Sequence, residues 1–303
     1  MHVTVLMSTY NGERFIKQQL DSIFNQKNIN VRLVVRDDGS TDKTLDILNE
    51  YKESGNDLII HEGENIKPCK SFLKLIGNYC DDDYFALADQ DDIWDDNKLF
   101  IAIDKLQKCD SKKPALYYSN LRLVDENNIF FRNAHTTPFN TENKYSALAE
   151  NRATGCTIVY NRRLAETVWE KKIENFTMHD AYLFVICSLL GNVCYDFEPH
   201  INYRQHAENV VGIKLKEKKF ANIKMHFLRF CDKGKHPRYD DAKIILDSFS
   251  EELNETDLKQ IKKIVNYKKS IRNRLALLLD KDIVSLDLRH NIRLKFLILY
   301  GNF

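Results

Sequence analysis

Apolar residues in the first third of the chain follow two alternating spacings. Short apolar, β-branched runs predict strands at Val3–Met7, Val31–Val35, Leu58–Ile60 and Tyr84–Ala88. Between these runs, helical spacing of apolar residues predicts helices at Glu13–Phe24, after Thr41-Asp42 and around Ser71–Ile76. Strands and helices that alternate in this way favour a parallel sheet with helices on both faces. We therefore predict an α/β fold with a mostly parallel, Rossmann-like sheet.

Polar residues follow three of the predicted strands, at the point where each strand ends. These clusters are Ser8–Gly12, Asp37–Ser40 and Asp89–Asp92. The carboxyl ends of parallel strands meet at one edge of a sheet, and open α/β sheets bind their ligands there. We therefore expect the three clusters to converge on a single rim.

The pattern changes from about Lys214 onward, where strand signals vanish and basic helical patterns take over. Helices are predicted at Lys214–Phe230, Asp241–Leu253, Asp257–Leu279 and around Ile292–Tyr300. We predict a first, α/β domain over residues 1–212. Residues 213–303 would form a basic helical region.

Charge adds an asymmetry to this division. Residues 203–303 hold 22 lysines and arginines against 13 aspartates and glutamates, whereas residues 1–202 hold 23 against 31. An acidic front half suits a domain that binds a cation, and a basic back half suits contact with phosphate or an anionic membrane face. A solvated helical surface explains the basic half equally well.

The cysteines and the N-terminal sequence indicate in which compartment of the cell the protein lies. The seven cysteines are dispersed without CxxC spacing, which favours reduced thiols over a disulfide framework or a zinc site. The chain starts in a strand pattern without the features of a signal peptide. We expect a cytoplasmic protein, in which Lys214–Phe230 either contacts the inner membrane face peripherally or packs its apolar side on the catalytic domain.

Three carboxylates stand close together at Asp89, Asp91 and Asp92, directly after the fourth predicted strand. Carboxylates this close repel one another unless a cation lies among them. Hard divalent cations such as Mg²⁺ and Mn²⁺ take oxygen ligands and often bridge to phosphates. Because Asp81–Asp83 is a second acidic triplet nearby, a solvated turn also explains the cluster taken alone.

Ser8–Glu13, Asp37–Asp42 and Ala88–Asp92, in this order and spacing, together resemble the family 2 glycosyltransferases, which have the GT-A fold. The resemblance covers about residues 1–212 and implies that they form the catalytic domain, with a nucleotide-binding part at about 1–110 and an acceptor part at about 111–212. Asp-Gln-Asp-Asp followed by Trp94 is most similar to bacterial polysaccharide-building transferases, including rhamnosyltransferases. It implies an inverting transfer, dependent on Mn²⁺ or Mg²⁺, from a nucleotide sugar to a hydroxyl of a growing cell-surface polysaccharide. The acceptor would be a glycan or lipid-linked glycan, and no nucleic-acid partner is expected.

The resemblance also implies which residues bind the donor. They are Thr9, Tyr10, Asn11, Glu13, Asp38, Lys67, Asp89, Gln90 and Arg204. Tyr10 would lie against the base, and Asp38 would accept the N3–H of uracil or thymine, so dTDP-rhamnose is the first expected donor and a UDP-sugar the second. Turn formation also explains Asp38. The glycine expected near Lys67 is missing from this sequence.

Metal binding and base catalysis are assigned to four residues by the same resemblance. Asp91 and Asp89 would bind the metal, and His206, in the run Tyr203–Gly212, would approach the metal or the diphosphate. Asp180 would be the general base that takes the proton of the acceptor hydroxyl. Alternatively, Asp180 caps the helix that follows it.

Two further features near Asp180 have open interpretations. His179 is either the base itself or a neighbour that orients the substrate or tunes Asp180. Ala153–Cys156 is similar to the small-residue loop beside the sugar in this fold, and a plain turn before a strand explains it equally well.

Other classes of protein explain fewer of these motifs. A nucleotidyltransferase normally has a glycine-rich phosphate loop, which Ser8–Gly12 does not provide. A glycoside hydrolase needs only a pair of carboxylates, which leaves the nucleotide motifs unexplained. An inactive transferase that serves as a binding module in a glycan assembly complex should have lost a metal-binding acid, the base or the histidine, and all are present.

Overall fold

The computed structural model describes residues 1–136, 138, 143–206, 237–285 and 287–303. They fall into two compact units: the first comprises Met1–Pro138 and Ala153–His206, and the second comprises the described parts of 139–152 and 207–303. The predicted boundary at residue 212 and the predicted helix Lys214–Phe230 lie outside the described residues. The division into a donor and an acceptor part stays a prediction.

Nine described strands form one sheet in the first unit. In chain order they are β1 (His2–Thr9), β2 (Asn30–Asp37), β3 (Leu58–Glu62), β4 (Tyr84–Ala88), β5 (Ile93–Trp94), β6 (Ala115–Val124), β7 (Phe130–Asn133), β8 (Val159–Asn161) and β9 (Asn192–Arg204). Their order across the sheet is β3-β2-β1-β4-β8-β6-β9-β5, with β7 paired to β6. The predicted α/β class is confirmed.

Six helices of this unit connect or flank the strands. They are α1 (Ile16–Phe24), α2 (Thr44–Glu53), α3 (Pro68–Asn78), α4 (Lys98–Leu106), α5 (Arg162–Lys171) and α6 (His179–Leu190). Helix α1 shows why they form: Ile16, Leu20 and Ile23 recur on one face of the helix and are fully buried.

The sheet has a parallel half and a mixed half. Strands β3, β2, β1 and β4 are parallel, and the middle of β1 is buried on both faces, as a sheet covered by helices requires. Beyond β4, strand β8 runs antiparallel to both β4 and β6, whereas β6 and β9 are parallel. The prediction of a mostly parallel sheet therefore describes the first half best.

Strand register explains how the polar clusters meet. Thr9 pairs with Asp37 across β1 and β2, and Met7 pairs with Ala88 across β1 and β4. The chain therefore leaves the sheet at three neighbouring points of one edge, which confirms the single rim expected from the sequence.

The second unit is helical in its described part. Its helices are α7 (Pro237–Phe249), α8 (Glu255–Asn266), α9 (Ile271–Leu278) and α10 (Leu288–Tyr300). The prediction of one helix over Asp257–Leu279 is wrong, because the chain breaks after α8 and Ser270 Oγ accepts the Asn273 N–H at 3.1 Å to start α9. Within the described ranges, no helix combines the length and apolar character needed to cross a bilayer.

The segment 143–152 belongs to the second unit although it lies between two parts of the first in sequence. Tyr145 donates from its hydroxyl to Asp257 at 2.8 Å, and Ser285 donates from its hydroxyl to Glu150 at 2.6 Å. These bonds join the segment to the start of α8 and to the chain before α10.

Candidate functional site

The loops that follow β1 and β2 are held together by side chains. Each bond joins one loop to the other: Thr9 Oγ1 donates to Asp37 at 2.9 Å, Thr41 N–H to Asn11 Oδ1 at 2.8 Å, and Lys43 N–H to Glu13 Oε2 at 3.0 Å. Thr9, Asn11 and Glu13 thus have partners within the protein, and they fix the shape of the rim. Their predicted contacts with the nucleotide stay predictions.

Asp37, the last residue of β2, and Asp38, which follows it, have different surroundings. Asp37 accepts the backbone N–H groups of Gly39 and Ser40 at 3.0 and 2.7 Å, and so shapes the turn. Asp38 is only 2% exposed, forms an ion pair with Arg36, and accepts the Ile66 N–H at 3.2 Å. A buried carboxylate needs such a cation. Sequence reasoning missed Arg36, since an arginine inside a strand has no distinctive spacing.

Gln90 joins the end of β4 to the end of β1. Its side-chain amide accepts the Tyr10 N–H at 2.9 Å and donates to the Tyr10 carbonyl at 3.1 Å. The Tyr10 side chain itself is 46% exposed, as a surface for a nucleotide base requires. A Cβ atom on Gly12 would lie 2.5 Å from Gln90 Oε1, so the approach of Gln90 depends on a glycine here.

Replacing Gly12 by alanine is expected to displace Gln90 and to weaken donor binding about tenfold, the worth of one lost hydrogen bond. Loss of the two bonds between Gln90 and the Tyr10 backbone should also lower the free energy of unfolding by about 1 kcal/mol. Calorimetric titration and urea denaturation measure the two effects. Gly77→Ala is the matched control: its Cβ meets no atom within 4 Å, and alanine favours the helix there. Unchanged donor binding in Gly12→Ala would contradict this account of Gln90.

Lys67 has a backbone conformation that glycine normally adopts. Its φ of 74° and ψ of 152° lie in a region that costs a residue with a side chain about 1–3 kcal/mol. The loop is held on either side, since Lys67 N–H donates to Asn65 Oδ1 at 3.2 Å and Ile66 N–H donates to Asp38. The backbone at position 67 therefore has the conformation that the expected glycine would adopt, but the residue there is lysine.

Replacing Lys67 by glycine is expected to raise the free energy of unfolding by about 1 kcal/mol, because the strain is relieved. Donor affinity should fall about tenfold if the ammonium contacts the diphosphate, since a charged contact is worth about 1.5–3 kcal/mol. Lys172→Gly is the control, because Lys172 also has a left-handed φ, of 46°, but lies at the end of α5. Donor affinity equal to that of the parent protein would remove Lys67 from the site.

Asp89 and Asp91 lie at the end of β4, where negative charge accumulates. Burial, together with the charges of Asp91 and Asp180, raises the pKa of Asp89 to about 7. Asp91 Oδ2 lies 2.6 Å from His206 Nε2, so two of the predicted metal ligands are in contact. Carboxylate oxygens and an imidazole nitrogen are ligand types that suit Mn²⁺, and a bound cation would relieve the repulsion that raises the pKa of Asp89. Among the described residues, however, the candidate ligands whose atoms all lie within 4.8 Å of one another are Asp89, Asp92 and Cys156, so Asp89 is not grouped with Asp91 and His206 in that way.

Arg204 donates hydrogen bonds to the segment that contains Asp91 and Asp92. It is 2% exposed and donates to three protein oxygens: the Asp91 carbonyl at 2.8 Å, the Glu126 carbonyl at 2.6 Å and Gln18 Oε1 at 2.6 Å. Its backbone N–H also donates to Asp92 Oδ1 at 3.1 Å. These contacts favour a role in positioning Asp91 and Asp92 over the ion pair with phosphate that the resemblance implies.

Lys98, which sequence reasoning missed, and Cys156, which it placed only in the small-residue loop, lie beside Asp92. Ligand atoms of Asp89, Asp92 and Cys156 all lie within 4.8 Å of one another. Lys98 is fully buried with Nζ 3.4 Å from the centre of the Trp94 ring, and burial lowers its pKa to about 7 despite the attraction of Cys156 and Asp92. Because thiols suit softer metals, Cys156 is a weak candidate ligand for Mn²⁺ or Mg²⁺.

Asp180 lies in the first turn of α6 and accepts two backbone N–H groups. Oδ1 accepts that of Ala181 at 2.7 Å, and Oδ2 accepts that of Gly155 at 3.2 Å. Helix α6 begins at His179, Met178 occupies the N-cap position, and no side chain caps the helix there. Asp180 therefore lies inside the first turn and is not the cap that the alternative expects, and its Oδ2 meets the small-residue loop. Asp180 also adds to the negative charge that raises the pKa of Asp89. The structure thus brings the predicted base and the predicted metal-binding acids into one electrostatic group.

His179 is a buried, neutral imidazole beside Asp180. It stacks on Phe72 with ring centres 4.2 Å apart, and burial lowers its pKa although Asp180 favours the charged form. Neither ring nitrogen has a hydrogen-bond partner within the described part of the chain. A Cβ on Gly155 would lie 2.9 Å from His179 Nε2, so this nitrogen faces the small-residue loop.

Comparison with known proteins bears on the family and the fold. The model of the family described as "Glycosyl transferase family 2" matches residues 4–169. The dTDP-rhamnosyl transferase RfbG of Shigella flexneri is 32% identical over 238 residues, which are 69% of this chain and 74% of that protein. The Escherichia coli UDP-Glc:alpha-D-GlcNAc-diphosphoundecaprenol beta-1,3-glucosyltransferase WfgD is 28% identical over 163 residues, or 54% of this chain and 61% of that protein.

Among solved structures, S. aureus TarS 1-349 in complex with UDP-GlcNAc is similar with a TM-score of 0.56 and 15% sequence identity. The match covers 93% of this chain and 77% of that chain, and it confirms the predicted GT-A fold. The family match spans more than half of the residues, and the similarity to RfbG extends it further. The chain belongs to glycosyl transferase family 2.

Proposed function

We propose that this glycosyltransferase moves a sugar, with inversion and with the aid of a divalent cation, from a pyrimidine nucleoside diphosphate to a hydroxyl of a growing cell-surface polysaccharide. One observation carries the proposal: Asp180 Oδ2 accepts the Gly155 N–H at 3.2 Å, and the sulfur of the next residue, Cys156, lies within 4.8 Å of a carboxylate oxygen of Asp89. A candidate cation site and a candidate base thus share one rim, as transfer between a diphosphate donor and a hydroxyl acceptor requires.

Relatives support the choice of donor. RfbG is named for dTDP-rhamnose, WfgD for UDP-glucose, and TarS was crystallised with UDP-GlcNAc. All three donors are pyrimidine nucleotides, and RfbG has the highest identity of the three to this chain. We therefore take dTDP-rhamnose as the first candidate and a UDP-sugar as the second, with Tyr10 against the base.

Asp89, Asp91 and His206 would hold Mn²⁺ or Mg²⁺, a set that suits these cations because it is mostly oxygen. When bound, the cation neutralises negative charge on the departing diphosphate. Arg204 keeps the Asp91 backbone in place through its bond to the Asp91 carbonyl.

Asp180 would take the proton of the attacking hydroxyl at a carboxylate oxygen. Two backbone N–H groups, those of Gly155 and Ala181, orient that carboxylate. Neutral His179 would orient the donor sugar or the acceptor, because a hydroxyl group near Gly155 would supply the hydrogen-bond partner that its ring nitrogens lack.

The test is a donor screen with the purified chain, Mn²⁺ and a panel of nucleotide sugars, in which released nucleoside diphosphate is measured with and without a chelator. We expect release from dTDP-rhamnose or a UDP-sugar, and loss of that release in the chelator. Release from purine donors alone would contradict the pyrimidine assignment. Donor-dependent thermal stabilisation without any release would instead favour a binding module in a glycan assembly complex.

A further inference from the structure

Two cysteines that are far apart in sequence lie side by side in the first unit. Cys109 follows the end of α4, Cys194 lies near the start of β9, and their Sγ atoms are 3.3 Å apart. The spacing of the cysteines gives no sign of this contact, since the two residues are 85 positions apart. The fold alone brings the two thiols together.

The two sulfur atoms are close to the separation of a disulfide. An S–S bond is about 2.05 Å long, so the sulfur atoms need to approach by only about 1.3 Å. The backbone on both sides is held: the Cys109 N–H donates to the Leu106 carbonyl at 3.0 Å, and Cys194 pairs with Tyr117 in the sheet. Small side-chain rotations can therefore close the gap while the backbone stays in place.

The surroundings give the two thiols different parts in an oxidation. Both residues are partly exposed, so a small oxidant can approach them. Burial, together with the hydrogen bond to Cys109, raises the pKa of Cys194 to about 12, and a thiol must lose its proton to react rapidly. Cys109 is therefore the thiol that reacts first. A third thiol nearby, that of Cys187, is fully buried and donates to the Asn192 carbonyl at 3.2 Å.

We propose that Cys109 and Cys194 are a site of reversible oxidation, at which a peroxide converts the two thiols to a disulfide. The Cys109 thiolate attacks one oxygen of hydrogen peroxide, which gives a sulfenic acid and releases hydroxide. The Cys194 thiol then attacks the sulfenic sulfur, and its proton leaves with the hydroxyl group as water. In total, two thiols and one peroxide give one disulfide and two molecules of water. A thiol reductant reverses the change by exchange.

The disulfide joins α4 to β9 at a distance from the candidate functional site. Arg204, which contacts Asp91, is ten residues beyond Cys194 on the same strand, or roughly 30 Å along it. A cross-link between residues 85 positions apart restricts the unfolded chain and thereby stabilises the folded one. Oxidation therefore acts on the stability of the first unit and leaves the rim of the sheet in place.

The test treats the whole reduced chain with a graded series of hydrogen peroxide concentrations and counts free thiols after quenching and denaturation. At the lowest concentration that has an effect, we expect the count to fall from seven to five. Digestion without reductant should yield a cross-linked peptide that contains Cys109 and Cys194. The Tm should rise by roughly 5–15 °C and return to its starting value in dithiothreitol. None of these readouts depends on sugar transfer.

Cys109→Ser should keep its six thiols at the same peroxide concentration and show no rise in Tm. Cys80→Ser is the matched control, since Cys80 is also partly exposed but lies between α3 and β4; it should form the same cross-link as the parent protein. Circular dichroism before oxidation checks that both variants are folded. Seven free thiols throughout the series, a cross-link that joins another pair such as Cys187 and Cys194, or a sulfinic acid at Cys109 without a cross-link would overturn the proposal.

Discussion

Replacing Asp180 by asparagine is expected to lower kcat for sugar transfer by about 10²- to 10⁴-fold, the usual contribution of a general base. Asparagine keeps the size of the side chain and an oxygen that accepts the Gly155 N–H, but it loses the bond from the Ala181 N–H. The free energy of unfolding should therefore fall by about 1 kcal/mol, while the donor Kd should change little. Steady-state kinetics with donor and acceptor, together with calorimetric titration of the donor, separate the two quantities. Removal of one negative neighbour should also lower the pKa of Asp89.

Asp46→Asn is the matched control for this experiment. Asp46 also lies in the first turn of a helix, but that helix is α2 and the side chain is exposed. We expect it to keep the parent kcat. If Asp180→Asn also keeps it, Asp180 is a helix-end residue and the base lies elsewhere. A loss of kcat in His179→Gln alone would point to the imidazole.

Replacing Asp91 by asparagine should have the second-largest effect, a loss in kcat/KM of about 10²- to 10³-fold, because charge that develops on the leaving group would be less well stabilised. Asparagine preserves hydrogen bonding to His206, at 2.6 Å in the parent, so the lost quantity is the negative charge. Activity measured across a Mn²⁺ titration should show a weaker apparent metal affinity, with partial recovery at high Mn²⁺.

The control for Asp91 is Asp81→Asn, because Asp81 belongs to the other acidic triplet and is exposed. It should retain the parent response to Mn²⁺. If parent and Asp91→Asn behave alike in a chelator and in Mn²⁺, the transfer does not depend on a metal bound at Asp91, and the assignment fails.

The parallel half of the sheet was predictable from sequence because its signals are local. Strands β1, β2 and β4 are short apolar runs buried over most of their length, and β1, β2 and β3 are each followed by a helix. In the mixed half, β5 spans two residues and β8 three, which are too few for a period to show. The break before α9 depends on Ser270 as an N-cap, which the long apolar and basic pattern around it conceals.

Order and spacing of motifs were enough to place the residues of the candidate site on one rim, but not to assign each a partner. Arginine is a common phosphate ligand, yet Arg204 is 2% exposed and donates to protein oxygens. Cys156 comes beside Asp92 only through the topology of the sheet, since it lies far along the chain. Lys98 is near Asp92 in sequence, but a lysine among apolar residues does not indicate that it is buried. Whether such a residue contacts a ligand or only the protein depends on its burial, and the whole fold determines that burial.

The segment 143–152 makes the second unit discontinuous in sequence, since its bonds from Tyr145 to Asp257 and from Ser285 to Glu150 belong to that unit. The second unit therefore cannot be exchanged between relatives by a single cut and join after the sheet. A hybrid made in that way would carry this segment from one parent and its partner helices from the other. Recombination between relatives should therefore keep the two units together. An engineered exchange of the C-terminal helices should include the segment 143–152.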